Sequence, residues 1–264
     1  MKKEELLAKL LDKNQLSPFA INEMTGEINK FGAAHPEFLA FFNRLSDLPG
    51  NAAKYGVENT PTIQSPLAGK RIAFLGSSVT FGFGSLGESF VDYLAKRDGI
   101  VPLKEAVSGT TLIDQDTFSK NDSYVARLKK IDRNAQLDAF VLQLSTNDAK
   151  TGKEDLGTIT DGDYDVQTIT GAIEYILNYI RKTWAVPVFI YTNPRYENDF
   201  YQQMVNQLQP LQDKWHFKII DLFNSPAFDY SPAAASLYRL DDIHPTRAGY
   251  QLKWLPFFEQ QLIK

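Results

Sequence analysis

From residue 66 onward the chain alternates short β-branched or aromatic runs with longer amphipathic stretches, and few patterns restrict a fold as strongly. Strand-like segments at 71–75, 102–107, 138–144, 186–192 and 217–222 are separated by segments of helical period at 86–96, 166–184, 197–212 and 247–262. Strands that alternate with helices are joined by right-handed crossovers, which predicts a parallel sheet with helices on both faces. Such sheets bind ligands beyond the carboxyl ends of their strands. The residues that follow each strand are therefore where chemistry is to be sought.

The preceding residues read differently. Leu6, Leu7, Leu10 and Leu11 recur at helical spacing, Phe19, Ile21, Met24 and Ile28 suggest a second helix, and residues 36–45 a third. Residues 51–69 carry Gly56, Pro61 and Pro66 with few periodic apolar positions, the composition of a connecting segment. The expected division is a helical extension over 1–65 and an α/β domain over 66–264. The small-residue run at 232–236 is expected to be a surface loop.

Composition removes several classes of function. The 264 residues contain no cysteine, which excludes disulfides, thiolate zinc sites, iron–sulfur clusters and a cysteine nucleophile. Only three histidines are present, His35, His216 and His244, so any imidazole base is one of these. A net charge of −4 gives no positive field to hold a phosphate backbone or anionic lipid, and nucleic acid is not expected as a partner. No apolar run approaches the ~18 residues of a membrane helix, and charged residues interrupt the N-terminal stretch where a secretory signal would need apolar ones. A cytoplasmic location is the expectation.

Three strand ends and a C-terminal turn carry candidate groups. The first strand runs into Gly76-Ser77-Ser78. A serine on a glycine-flanked strand-to-helix turn exposes its hydroxyl at the sheet edge, although serines there also simply cap helices. Gly109 follows the second strand and offers a backbone N–H that a ligand can approach closely. Asn147, after the third strand, has amide donors for an oxyanion or for its own loop. Asp241-Asp242-Ile243-His244-Pro245 precedes the last helix, and a carboxylate three residues before a histidine can accept its Nδ1–H and leave Nε2 to take a proton from a serine. That context ranks His244 above His35 and His216.

Together these four blocks resemble the SGNH, or GDSL-like, hydrolase family, in family order over residues 71 to 250. Ser78 matches the nucleophile, Gly109 the glycine of the second block, Asn147 the asparagine of the third, and Asp241 and His244 the fourth. The resemblance implies an α/β/α three-layer sandwich with a five-stranded parallel sheet of the flavodoxin-like kind and a Ser78–His244–Asp241 triad. It also implies an oxyanion hole from the Ser78 and Gly109 N–H groups and the Asn147 side chain, with neither metal nor organic cofactor. Ser77 stands where the family has aspartate, and Ser145 where it has glycine.

The activity so implied is hydrolysis of a small-molecule ester. Short acyl chains are expected because residues 152–165 are polar and offer no long apolar run, with an acetyl esterase acting on carbohydrate one instance and a thioesterase or lysophospholipase another. A competing reading rests on Gly82-Phe83-Gly84-Ser85-Leu86-Gly87, which matches a dinucleotide fingerprint or, in a flavodoxin-like sheet, a site for FMN. That fingerprint should begin at the strand end, and here the Ser77-Ser78 turn intervenes.

Overall fold

The computed structural model describes residues 43–150 and 155–263. The helices expected around Leu6–Leu11 and Phe19–Ile28 lie outside them, as does His35. The start of the connection expected over 51–69 is not plain coil: three single-turn 3-10 helices, Pro49–Asn51, Ala53–Tyr55 and Val57–Asn59, lead into and through it.

The elements then follow as β1 (Arg71–Gly76), α1 (Ser78–Phe81), α2 (Phe90–Asp98), β2 (Val101–Ala106), α3 (Tyr124–Leu128), β3 (Ala139–Gln143), α4 (Ile169–Thr183), β4 (Val188–Tyr191), α5 (Asp199–Trp215), β5 (Lys218–Ile220) and α6 (Pro232–Tyr238). The terminal helix α7 consists of Arg247–Gly249, a π-helical turn at Tyr250–Trp254 and Leu255–Ile263. All five strands are parallel in the order β2-β1-β3-β4-β5. This order reverses direction at β1 and β3, and the crevice of such a sheet opens there, outside the strand carboxyl ends.

Period-2 alternation explains how both faces are filled. Ile72 and Phe74 of β1 and Val141 of β3 join Phe90, Leu94, Trp254 and Phe258 from α2 and α7. Ala73, Leu75, Phe140 and Leu142 face the other way, onto Ile173, Ile176, Ile180, Met204 and Leu208 of α4 and α5. Three layers result.

Two expectations need correction. Helix α2 begins at Phe90 rather than near 86, because Ser89 and Asp92 form a reciprocal capping box that fixes its start. Residues 232–236 are helical rather than a loop: Ser231 caps α6, Pro232 takes the first position where its missing N–H is harmless, and alanine is the strongest helix former. Among the described residues no helix is long and apolar enough to cross a membrane.

Candidate active site

The turn after β1 is held from below by buried polar groups. Gln143, at the end of β3, is fully buried, and its Oε1 accepts the Ser77 N–H at 2.9 Å, the Thr80 N–H at 3.3 Å and the Thr80 hydroxyl at 2.8 Å. A side chain on Gly76 would place its Cβ 1.8 Å from Thr80 Oγ1, so the chain passes this point only as glycine. Ser78 opens α1, where an N–H has no intrahelical acceptor. Its hydroxyl meets the C-terminal turn: His244 Nε2 lies 2.8 Å from Ser78 Oγ across 166 residues of sequence.

On the other side of the imidazole, Nδ1 lies 2.8 Å from Asp241 Oδ2 and 3.0 Å from Oδ1. Asp241 Oδ1 also accepts the backbone N–H groups of Ile243 and His244, each at 2.8 Å, so the carboxylate shapes the turn that carries the histidine. Burial pushes the Asp241 carboxyl up, but the hydrogen bond and charge of His244 and these two N–H groups outweigh it and bring it down to about 2. The run Gly82–Gly87 forms the turn beneath His244 rather than a phosphate loop at a strand end. Its Phe83 ring sits 5.1 Å from the imidazole, and Gly84 lies against the backbone of His244 and Pro245. His216 ends α5, away from this cluster, with its N–H on the Gln212 carbonyl.

Gly109 adopts the left-handed conformation, φ +78°. Asn147 is half-buried and donates one amide hydrogen to the Thr110 carbonyl at 2.8 Å, which aligns the side chain beside the Gly109 loop and leaves its second hydrogen available. Ser145 is fully buried, and its hydroxyl accepts the Asn147 N–H at 3.2 Å.

Three positioning groups escape a reading of local sequence. Asp148 is 1% exposed and accepts the Leu112 N–H at 2.8 Å and the Ile113 N–H at 3.0 Å, pinning the loop that follows Gly109. Arg127 of α3 is buried and uses its whole guanidinium, donating to the carbonyls of Asp122, Glu105 and Gly76, to Thr110 Oγ1 and to the Glu105 carboxylate. Asp122 collects donors from residues 117–119. A polar residue at the end of an apolar strand was the one available signal, at Gln143.

Burial pushes the Asp148 carboxyl up to about 6 against the lowering effect of Ile113, Ser145 and Leu112. An acid raised in the folded state stabilises it fully below the unfolded value near 3.8, and that contribution is lost as pH rises through about 6. The stability deficit of Asp148→Asn relative to wild type should accordingly shrink by about 2 kcal/mol between pH 4 and pH 7, as urea unfolding at the two pH values would measure. An unchanged deficit would mean that Asp148 titrates normally.

A groove of about 930 Å³ borders the site beyond β4 and β5, with Arg195, Tyr196, Asn198, Phe223, Arg239 and Asp242 in its wall. Asp242 in its wall is the neighbour of Asp241, and Asn198 in its wall donates Nδ2 to the Ala149 carbonyl at 3.2 Å, two residues beyond Asn147. Among the described residues no group of three or more histidine and carboxylate side chains is gathered as for a metal ion.

The model of the GDSL-like lipase/acylhydrolase family matches residues 74–252, more than half of the chain. Among solved structures, a Lactobacillus plantarum protein is 22% identical with a TM-score of 0.58, covering 74% of this chain and 96% of its own. An aryl esterase of M. smegmatis is 17% identical with a TM-score of 0.53, covering 73% and 98%. A carbohydrate acetylesterase family member from Sinorhizobium meliloti is 15% identical with a TM-score of 0.51, covering 73% and 97%. At these identities the likeness is one of fold. No curated protein matches the chain in sequence.

Proposed function

We propose, from the premise that this chain belongs to the GDSL-like lipase/acylhydrolase family, that it cleaves short-chain carboxylic esters of polar alcohols through a Ser78–His244–Asp241 triad. That it is a carboxylic ester hydrolase follows from the family; the triad and the kind of ester are our reading. The observation that carries it is the continuous chain from Ser78 Oγ to His244 Nε2 at 2.8 Å and from Nδ1 to the Asp241 carboxylate at 2.8 Å.

In this mechanism Ser78 Oγ attacks the ester carbonyl carbon while Nε2 takes its proton. The negative charge that develops on the carbonyl oxygen is met by the N–H groups of Ser78 and Gly109 and by the Asn147 amide. Asp241, ionised down to about pH 2, fixes the tautomer with hydrogen on Nδ1 and stabilises the imidazolium. The alcohol leaves with the proton from Nε2, water then attacks acyl-Ser78 with His244 as base, and the products are one carboxylic acid and one alcohol. The polar groove beside Asp242 supports a hydrophilic alcohol, of which an acetylated carbohydrate is an example. The M. smegmatis protein described as an aryl esterase and the S. meliloti carbohydrate acetylesterase family member share the fold on which this reading is built.

The test is rapid-mixing hydrolysis of p-nitrophenyl acetate by the purified protein. A burst of about one equivalent of nitrophenol followed by steady turnover is expected for an acyl-enzyme. Absence of any hydrolysis would overturn the reading. Asn147→Ala should lower kcat by about a hundredfold or more while KM changes little, since its amide is needed only as charge develops.

A further inference from the structure

We infer that Phe118 sets the acyl-chain preference of this enzyme, its exposed ring being the surface along which the acyl chain of the substrate lies. The inference rests on the ester-hydrolase reading of the Ser78 site and deepens it.

A solitary exposed phenylalanine carries no information by itself. What distinguishes Phe118, 71% exposed, is where the ring rests. A Cβ built on Gly109 would lie 2.3 Å from Phe118 Cε2 and 2.7 Å from Cζ, so the ring packs on the bare Cα of that glycine. It therefore lies next to the backbone N–H to which the proposed mechanism gives a share of the oxyanion.

The ring is presented by an ordered loop. The Asp122 carboxylate, 3% exposed, accepts the Thr117 N–H at 2.9 Å, the Phe118 N–H at 2.8 Å, the Ser119 N–H at 2.8 Å and the Thr117 hydroxyl at 2.9 Å. Arg127 Nε holds the Asp122 carbonyl at 2.9 Å from beneath. The loop thus fixes the backbone of the residue whose side chain it leaves in water.

The order of strands assigns the two halves of the ester to opposite sides. His244 must protonate the departing alcohol, so the alcohol leaves past Nε2, toward the polar groove that follows β4 and β5 and includes Asp242. Gly109 and Phe118 follow β2, at the other edge of the sheet. The acyl chain extends to that side, and the apolar surface waiting there is one ring face, enough for a few methylenes.

The measurement is kcat/KM for p-nitrophenyl acetate and p-nitrophenyl butyrate with wild type, Phe118→Ala and Phe118→Trp. Each fully buried methylene is worth roughly fourfold, so two methylenes covered on one side correspond to a butyrate-over-acetate preference of about fourfold from the ring. That preference should fall about fourfold in Phe118→Ala, mostly through KM, and be retained in Phe118→Trp. A ring that only supports Gly109 would lower both esters together and leave the ratio unchanged; an unchanged or increased ratio in Phe118→Ala overturns the inference. Wild type inactive on both esters overturns the ester-hydrolase reading itself, a distinct result.

Discussion

Ser78→Ala is expected to reduce ester turnover by about 10⁵-fold to 10⁶-fold and to abolish covalent labelling by a fluorophosphonate. The effect is large because the serine and histidine act as one unit: without Oγ the imidazole has no proton to take and no acyl-enzyme forms. Stability should hardly change. The alanine removes one hydrogen bond, to His244 Nε2, while the turn remains held through Ser77 and Thr80 on Gln143. Labelling of the variant at the wild-type rate would transfer the nucleophile to another residue. Because labelling needs only the reactive serine, it reads this outcome even for an ester that the enzyme binds poorly.

The second large effect belongs to Asp241→Asn, for which a loss of about 10³-fold to 10⁴-fold in kcat is expected. An asparagine Oδ1 can still accept the Ile243 and His244 N–H groups, so the turn should keep its shape. Its amide hydrogens then face Nδ1, which must become the acceptor, and the ring proton moves to Nε2. In that tautomer His244 donates toward Ser78 instead of accepting from it. KM should stay within a few-fold of wild type, because the ester itself does not touch Asp241. Replacement by glutamate tests the geometry separately: it keeps the charge but lengthens the reach from a turn only three residues long. A kcat for Asp241→Asn within tenfold of wild type would show that the carboxylate is dispensable.

Much of the architecture was legible because both faces of the sheet are buried. A strand such as β1, with Ile72 and Phe74 on one helix layer and Ala73 and Leu75 on the other, reads as an unbroken apolar run bounded by polar residues. Ends were less legible. The expected 217–222 shrinks to the three residues of β5, an edge strand with a neighbour on one side only. The contact of Asp241 with His244 was readable because the two lie three residues apart on one turn. Positioning groups were not, because their meaning comes from partners distant in the chain: Arg127 acts on a residue 51 positions earlier and Asp148 on one 36 positions earlier. Phe118 has no local signal, since its significance lies in the absence of a side chain on Gly109.

The buried Arg127 divides the surroundings of Ser78 into a part that it holds and a part that it leaves alone. Its guanidinium fastens the carbonyl of Gly76, the hydroxyl of Thr110 and the carbonyl of Asp122, so the anchors of the Phe118 loop and of the turn that carries Ser78 converge on one side chain. Residues 115–121 hang between those anchors without supplying any of them. Under the roles proposed above, a change confined to this loop would alter which acids are released and leave the turn of Ser78 held as before.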